Sequence, residues 1–115
     1  MMLTHFSGKV YLAVGSTDMR KAINGLSLLV EQAMALDPFC GDLFAFCNRQ
    51  RTIIKILYWH INGFCLWQKR LEEQHFPWPQ SAQEVITIDS EQLQWLLAGL
   101  DFTRAHRRLN YAAAG

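Results

Sequence analysis

The dipeptide Asn62-Gly63 lies between two stretches rich in β-branched and aromatic residues, and this arrangement constrains the fold more than any other feature of the sequence. The flanking stretches are Thr52–His60 and Phe64–Leu71. Both have the composition of strands, and Asn-Gly tolerates the positive φ angles of a type I′ turn. The pattern therefore predicts an antiparallel β-hairpin in which Ile61 lies opposite Phe64.

Counting outward from this turn predicts the pairing of the hairpin. Tyr58 would lie opposite Trp67, and Lys55 would lie opposite Arg70. Side chains alternate between the two faces of a sheet. The predicted core face carries Ile54, Ile56, Tyr58 and Trp67, and the other face carries Lys55, Leu57, Trp59, Leu66, Gln68 and Arg70.

The remaining sequence predicts three more strands and two helices. The strands are expected at Val10–Val14, Leu43–Cys47 and Glu84–Ile88. A helix is expected from about Asp18 to Leu36, and a second helix is expected to begin at Asp89 or Ser90 and to end at Gly99. Together these elements predict an α+β fold, with a small antiparallel sheet of about five strands and two main helices packed on one face.

Length and composition indicate one globular domain. The chain has 115 residues, of which 50% are hydrophobic and 18% are charged. That length is enough for one modest core. We expect a single domain over residues 1–102, followed by a basic C-terminal tail over residues 103–115.

The cysteines and the apolar runs indicate the cellular compartment of the protein. Cys40, Cys47 and Cys65 form no Cys-x-x-Cys pair, so we expect free thiols in a reducing compartment rather than disulfides or a metal site. No signal peptide is apparent, and no run approaches the roughly 20 apolar residues of a membrane span. The expectation is a soluble cytoplasmic protein without a membrane partner.

Positive charge is concentrated in the hairpin region, although the net charge is only +1. The segment 43–71 contains no acidic residue and five cations, namely Arg49, Arg51, Lys55, Lys69 and Arg70. We expect four of these, Arg49, Arg51, Lys55 and Arg70, to gather at one corner of the sheet, with Lys69 nearby on the opposite face.

Two interpretations of this basic corner remain open. The cations can form a surface for nucleic-acid phosphates, with Trp59 as a stacking partner for a base. Alternatively, Glu72 and Glu73 neutralise Arg51 and Arg70 as ordinary exposed ion pairs. The state of these cations in the structure separates the two interpretations.

No arrangement of residues in the sequence is typical of an enzyme. Most acidic residues have an ordinary structural explanation, since they fall at predicted helix starts, before proline, on the polar face of a helix or beside cations. None lies within the strands between residues 43 and 71. The four histidines show no metal-binding spacing, and Ser16 lacks a Gly-x-Ser-x-Gly context. We therefore predict no catalytic residue, no metal, no cofactor and no small-molecule substrate.

Six stretches, in order and together, resemble one protein family. They are V-Y-L-A-V-G-S-T-D-M-R-K-A-I-N-G-L from Val10, D-P-F-C-G-D-L-F-A-F-C-N-R from Asp37, K-I-L-Y-W from Lys55, G-F-C-L-W-Q-K-R-L-E from Gly63, F-P-W-P from Phe76 and L-L-A-G-L-D-F from Leu96. The sequence is similar to the accessory proteins called TnpB, the second-open-reading-frame products of the IS66 family of bacterial insertion sequences. Members of that family often have Arg where this chain has Cys47, and a longer basic run where it has Arg49-Gln50-Arg51.

The resemblance implies a non-catalytic role in DNA transposition beside a separate transposase that holds the catalytic residues. The expected partners are the element's transposase and its terminal-repeat DNA. The resemblance also draws attention to the T-D-M-R-K stretch, which adds Arg20 and Lys21 to the candidate DNA-binding residues. The tail residues Arg104, Arg107 and Arg108 would extend that surface.

A protein–protein adaptor without DNA contact is the alternative function. In that case exposed apolar side chains would form the contacts, because aromatic residues dominate the energetics of interfaces. The candidates are Trp59, Leu57, Leu66 and Trp78, together with Trp95.

Overall fold

Five strands and two α-helices make up the part of the chain that the computed structural model describes, residues 8–80 and 85–104. In chain order the elements are β1 (Val10–Ala13), α1 (Ile23–Gln32), β2 (Leu43–Cys47), β3 (Ile53–His60), β4 (Gly63–Arg70), β5 (Val85–Ile88) and α2 (Ser90–Leu97), followed by a short 3-10 helix (Phe102–Arg104). The predicted α+β class with five strands is confirmed. The predicted tail beyond residue 104 lies outside the described residues.

The strands form one mixed sheet in the order β4-β3-β2-β1-β5. β1 and β2 are parallel, and every other neighbouring pair is antiparallel. The expectation of a wholly antiparallel sheet is therefore wrong for one pair. Parallel neighbours need a crossover connection, and α1 lies in the chain between β1 and β2.

The two helices cover opposite faces of the sheet, and not a single face as predicted. Leu93 and Leu96 of α2 pack in one cluster with Ala45 of β2, whereas Leu26 and Val30 of α1 pack in another cluster with strand residues of the other face. All five residues of β2 are buried, with Leu43, Ala45 and Cys47 in the α2 cluster and Phe44 and Phe46 in the α1 cluster. A strand that is apolar at every position is buried on both faces, because side chains alternate between them.

The β3–β4 hairpin turns one residue earlier than predicted. His60 pairs with Gly63, so Ile61 and Asn62 are the turn residues. The shift moves every pair by two positions, and Lys55 therefore lies opposite Gln68 instead of Arg70. Because the shift is even, each side chain stays on its predicted face. The observed pairing also separates two like charges that the predicted pairing placed opposite each other.

α1 begins five residues later than the predicted start at Asp18. Its N-cap is Ala22, which makes no side-chain cap, and the Asp18 carboxylate binds Arg20 instead. The ammonium group of Lys55 donates hydrogen bonds to the carbonyl oxygens of Met19 and Lys21 at 2.8 and 2.9 Å. These contacts hold the 18–22 segment in a non-helical conformation against the sheet.

The second helix begins as predicted. The Asp89 carboxylate accepts a hydrogen bond from the Gln92 backbone N–H at 2.8 Å, and the Gln92 side chain accepts one from the Asp89 N–H at 3.1 Å. This reciprocal capping box satisfies two backbone donors at the start of α2. Gly99 follows the helix with a φ of +79°, which confirms it as the residue that ends the helix.

Candidate functional site

Three segments converge at the end of the sheet where β1, β2 and β4 finish and β3 begins. They are residues 16–21, the loop 48–51 and residues 70–76, and we call this region the basic end. The Thr17 N–H donates to the Cys47 carbonyl at 2.7 Å, and the Phe76 N–H donates to the Arg51 carbonyl at 2.7 Å. Both flanking segments are therefore hydrogen-bonded to the loop or to the strand that leads into it.

Asn48 organises the loop 48–51 from within. Its side-chain oxygen accepts hydrogen bonds from the N–H groups of Thr52 and Ile53 at 2.8 and 2.9 Å. Its side-chain nitrogen donates to Thr52 Oγ1 at 3.0 Å, and its own N–H donates to the Ile53 carbonyl at 3.1 Å. Asn is suited to this role because its short amide reaches backbone groups of a tight turn. The sequence indicated Asn48 only as part of a polar loop.

The segment after β4 closes the loop from outside. His75 Nδ1 lies 2.7 Å from the Gln50 carbonyl oxygen, which requires the proton on Nδ1 for a hydrogen bond. The loop is thus bonded on both sides, and Arg51 adopts a φ of +60° within it. These bonds fix the backbone of the loop and therefore the positions from which its exposed side chains project.

Arg49 and Arg51 project from this loop as exposed cations. Neither guanidinium forms a hydrogen bond or an ion pair within residues 8–80 and 85–104. Lys21, on the neighbouring segment, is likewise exposed, and its ammonium group has no partner among the same residues. Among the described residues, these three side chains are the candidate cations of the basic end without an ion pair.

Two other candidate cations at the basic end are paired with carboxylates. Arg20 binds Asp18 through two nitrogens, at 2.7 Å from Nη2 and 3.0 Å from Nε to Oδ2. These hydrogen bonds lower the pKa of Asp18 from its ordinary value of 3.8 to about 2. Arg70 binds Glu72 at 3.1 and 3.2 Å. Both pairs are exposed, and exposed pairs exchange partners at little cost in free energy.

The last two candidate cations, Lys55 and Lys69, stabilise the fold by donating hydrogen bonds to backbone carbonyls. Lys55 donates to the carbonyls of Met19 and Lys21, as described above. Lys69 projects toward the α2 side of the sheet, where its ammonium group donates to the Leu97 carbonyl at 2.7 Å. A cation in that position binds an unsatisfied carbonyl at the C-terminal end of a helix. The basic end therefore holds fewer available cations than the sequence suggested.

Some of the residues that were predicted as protein contacts are buried in the core, and others are half-buried. Leu57 is fully buried beneath α1, and Trp78 is 3% exposed with its indole N–H donating to the Ala13 carbonyl at 3.0 Å. The expectation that these two are exposed is wrong, because both belong to the core. Leu66 and Trp95 are half-buried and pack against the two core clusters.

Trp59 belongs to an aromatic cluster at the opposite end of the sheet. Its ring centroid lies 5.1 Å from that of Phe39 and 5.0 Å from that of Phe64, and the latter two are 5.2 Å apart. Phe39 is 53% exposed, so part of the cluster faces solvent. Phe39 and Phe64 were not among the predicted contact residues, although Asp37-Pro38 before Phe39 indicates a turn that can expose a side chain.

The hairpin tip beside this cluster is apolar and conformationally unfavourable. Ile61 has a φ of +56° and is 82% exposed. β-branched residues rarely adopt positive φ, and backbone strain of this kind is more frequent at functional sites than elsewhere. Phe39, Trp59, Ile61 and Phe64 together form what we call the tip patch.

Residues that bind metals or act as nucleophiles do not gather in the described part of the chain. Residues 8–80 and 85–104 contain no group of three or more His, Cys, Asp or Glu side chains placed to hold a metal ion. Burial raises the pKa of the Cys47 thiol to about 12, which suppresses its reactive thiolate form. No helix within these ranges is long and apolar enough to cross a membrane.

The comparison with known families agrees with the resemblance noted in the sequence. Residues 8–107 match the profile of a family described as IS66 Orf2-like protein. The chain belongs to the IS66 Orf2-like family. This family comprises accessory proteins of insertion sequences, which assigns the chain to transposition in the general sense.

Two relatives of this IS66 Orf2-like chain come from the bacterium Sinorhizobium fredii, strain NBRC 101917 / NGR234. The uncharacterised protein y4hO is 37% identical over 94 residues, which cover 82% of this chain and 82% of the relative. The uncharacterised protein y4jC is 34% identical over 100 residues, which cover 87% and 86% of the two chains. No solved structure matches the chain.

Proposed function

We propose that this IS66 Orf2-like protein assists transposition by binding DNA phosphates at its basic end, without performing the chemical step itself. Arg49, Arg51 and Lys21 make the primary contacts in this proposal. Arg20 and Arg70 join them when a phosphate replaces the Asp18 or Glu72 carboxylate. The protein acts in the bacterial cytoplasm, beside a transposase that supplies the catalytic residues.

The observation that carries the proposal is the pair Arg49 and Arg51, which project from a hydrogen-bonded loop and have no ion-pair partner within residues 8–80 and 85–104. An exposed cation without a carboxylate partner can bind a phosphate without first breaking an ion pair. Because the bonds of Asn48 and His75 already fix the loop, its backbone loses little conformational entropy when Arg49 and Arg51 bind. Lys21 extends the same positive surface, since its segment is bonded to the end of β2.

Lys55 and Lys69 have no part in this proposal, although both were candidate DNA contacts. Each already donates to backbone carbonyls that would otherwise lose a partner. Removing a lysine from such a bond to reach a phosphate leaves a carbonyl unsatisfied, which costs about 1–3 kcal/mol when the carbonyl is buried.

Titration of salt against DNA affinity tests the proposal. Fluorescence anisotropy would measure binding to a duplex of the element's terminal repeat between about 50 and 200 mM salt. Contacts to three phosphates give a slope of log affinity against log salt of roughly −3. Arg49→Gln and Arg51→Gln should each reduce the steepness by about one.

Lys9→Gln is the matched control, because Lys9 is an exposed cation at the opposite end of β1. It removes the same charge and should leave the slope unchanged. Binding that is equally weakened by Lys9→Gln would indicate a general charge effect and reject the basic end as the site. Absence of DNA binding by the full chain would reject the proposal.

The tip patch supports a second candidate function, an adaptor that binds the transposase. An exposed aromatic cluster beside a strained, exposed isoleucine is the kind of surface that protein partners cover. Capture of the chain by immobilised transposase should then be lost in Phe39→Ala and retained in Arg49→Gln. The opposite pattern would favour a DNA-mediated association.

A further inference from the structure

β4 forms an open edge of the sheet. It pairs with β3 on one side, and no strand lies on its other side in the described residues. At eight residues, β4 is longer than the usual five or six, whereas β5 at the other edge has four.

The pairing shows which backbone groups of β4 face outward. The Leu71 N–H donates to the Thr52 carbonyl at 2.8 Å, so this pair is hydrogen-bonded. Hydrogen-bonded pairs alternate along an antiparallel ladder, which makes Lys69, Trp67, Cys65 and Gly63 the inward-bonded residues of β4. The N–H and C=O groups of Phe64, Leu66, Gln68 and Arg70 therefore point away from β3. None of these backbone groups bonds another described segment.

This edge lacks most of the features by which proteins prevent strands from pairing with other chains. It contains no proline, and its eight consecutive pairs with β3 show no bulge. Its only charges are at the last two positions, Lys69 and Arg70, while Phe64, Cys65, Leu66 and Trp67 are half-exposed and apolar. Long, regular and apolar edges are the ones that accept another strand.

The sequence of β4 is complementary to itself when read in the opposite direction. A twofold axis through Trp67 places Phe64 opposite Arg70 of a second copy, and Cys65 opposite its Lys69. Leu66 then lies opposite Gln68, and all outward-facing residues, Phe64, Leu66, Gln68 and Arg70, form hydrogen-bonded pairs. No two cations lie opposite each other in this register, and Arg70 lies opposite an aromatic residue.

We infer that two copies of this protein pair through β4, antiparallel and centred on Trp67, to form a dimer with a continuous ten-stranded sheet. A twofold interface of this kind is self-complementary, as closed dimers require. The inference is independent of whether the basic end binds DNA, because β4 contributes only Arg70 to that region.

Sedimentation equilibrium of the full chain tests the dimer, and Gln68→Pro tests its interface. Proline removes the outward N–H of Gln68 and leaves the β3–β4 hydrogen bonds intact. Each dimer loses two hydrogen bonds by symmetry, so the dissociation constant should rise by about tenfold or more. Gln68→Thr retains the N–H and should keep the affinity within about threefold of the original. Circular dichroism would confirm that both variants are folded.

Disulfide trapping tests the register without relying on affinity. In a Cys40→Ser background, Lys69→Cys places a thiol opposite Cys65 of the second copy, in a non-hydrogen-bonded pair with Cα atoms about 4.5 Å apart. Within one chain the two positions are about 13 Å apart, too far for a disulfide. Oxidation should therefore produce a covalent dimer on a non-reducing gel.

Gln68→Cys in the same background is the matched control, because position 68 projects to the other face and should give no such dimer. A chain that remains monomeric at millimolar concentration would overturn the inference. Equal crosslinking of the Gln68→Cys and Lys69→Cys variants would also overturn it. The same holds if the backbone N–H groups at the β4 edge are protected from hydrogen exchange only when transposase is added.

Discussion

The ammonium nitrogen of Lys55 lies 2.8 Å from the carbonyl oxygen of Met19, a residue 36 positions earlier in the chain. A second bond of 2.9 Å joins it to the Lys21 carbonyl. One lysine of β3 thus fixes the T-D-M-R-K segment to the sheet. The same segment presents Arg20 and Lys21, so a cation in the fold positions two cations of the proposed DNA surface.

Lys55→Met should destabilise the protein by about 2 kcal/mol, because hydrogen bonds to charged groups contribute about 1.5–3 kcal/mol and methionine keeps the apolar stem. Urea denaturation would measure the change in the free energy of unfolding. Lys21→Met removes an exposed charge with no partner among the described residues and should stay within about 0.5 kcal/mol. Equal effects of the two substitutions would show that the Lys55 bonds contribute nothing specific.

Asp18 should titrate near pH 2, because the side-chain hydrogen bonds from Arg20 lower its pKa below the ordinary value of 3.8. Since the pKa is lowered in the folded state, any stabilisation from this pair is complete above about pH 4 and is lost as pH falls through about 2. Carboxyl NMR shifts would follow the titration. Arg20→Gln should return the pKa toward 3.8, whereas Lys21→Gln, the weaker influence, should change it little.

Ile61→Gly should stabilise the hairpin. A positive φ costs a non-glycine residue about 1–2 kcal/mol, and the lower entropy cost of folding for isoleucine recovers only part of this. Because Ile61 is 82% exposed, little packing is lost, and we expect a net gain of about 0.5–1 kcal/mol in thermal or urea unfolding. Asn62→Gly, at the neighbouring turn position, should give no gain. If the tip patch binds transposase, the stabilised variant should bind it less tightly.

The cysteines should differ in their rates of alkylation at pH 8. Cys40 is exposed and should react first, even though partial burial raises the pKa of its thiol. Cys47 is buried, and burial raises its thiol pKa to about 12, so it should react only after unfolding. Mass spectrometry of timed alkylation would measure both rates. Early labelling of Cys47 would mean that the end of β2 opens in the native state.

Local patterns predicted the elements well where the relevant interactions are close in sequence. The Asp89–Gln92 capping box and the terminating Gly99 involve residues within one or two turns of α2, so their residue types were sufficient. The strand composition of Leu43–Cys47 was equally clear. Its unbroken apolar character fits the burial on both faces that the structure shows, which the expected arrangement of helices on one face did not include.

The sequence predicted which residues make up the candidate site, but it predicted only in part which of their charges are free to bind a partner. The sequence identified Arg49 and Arg51 on a loop between strands, and the structure confirms that location. It could not show that Lys55 and Lys69 bind backbone carbonyls 34 and 28 positions away, because such partners depend on how the elements pack. For the same reason the sequence could not show that Trp78 is buried, with its indole N–H bonded to the Ala13 carbonyl.

By itself, the sequence determined the strands, the second helix and the family, because periodicity, capping residues and ordered motifs are properties of neighbouring residues. Only the tertiary structure decided the hairpin register, the faces that the helices cover and the cations that remain free. Each of these depends on contacts between distant segments. Asn62-Gly63 favours one turn locally, yet the whole ladder of eight β3–β4 pairs outweighs that preference and places Ile61 and Asn62 in the turn.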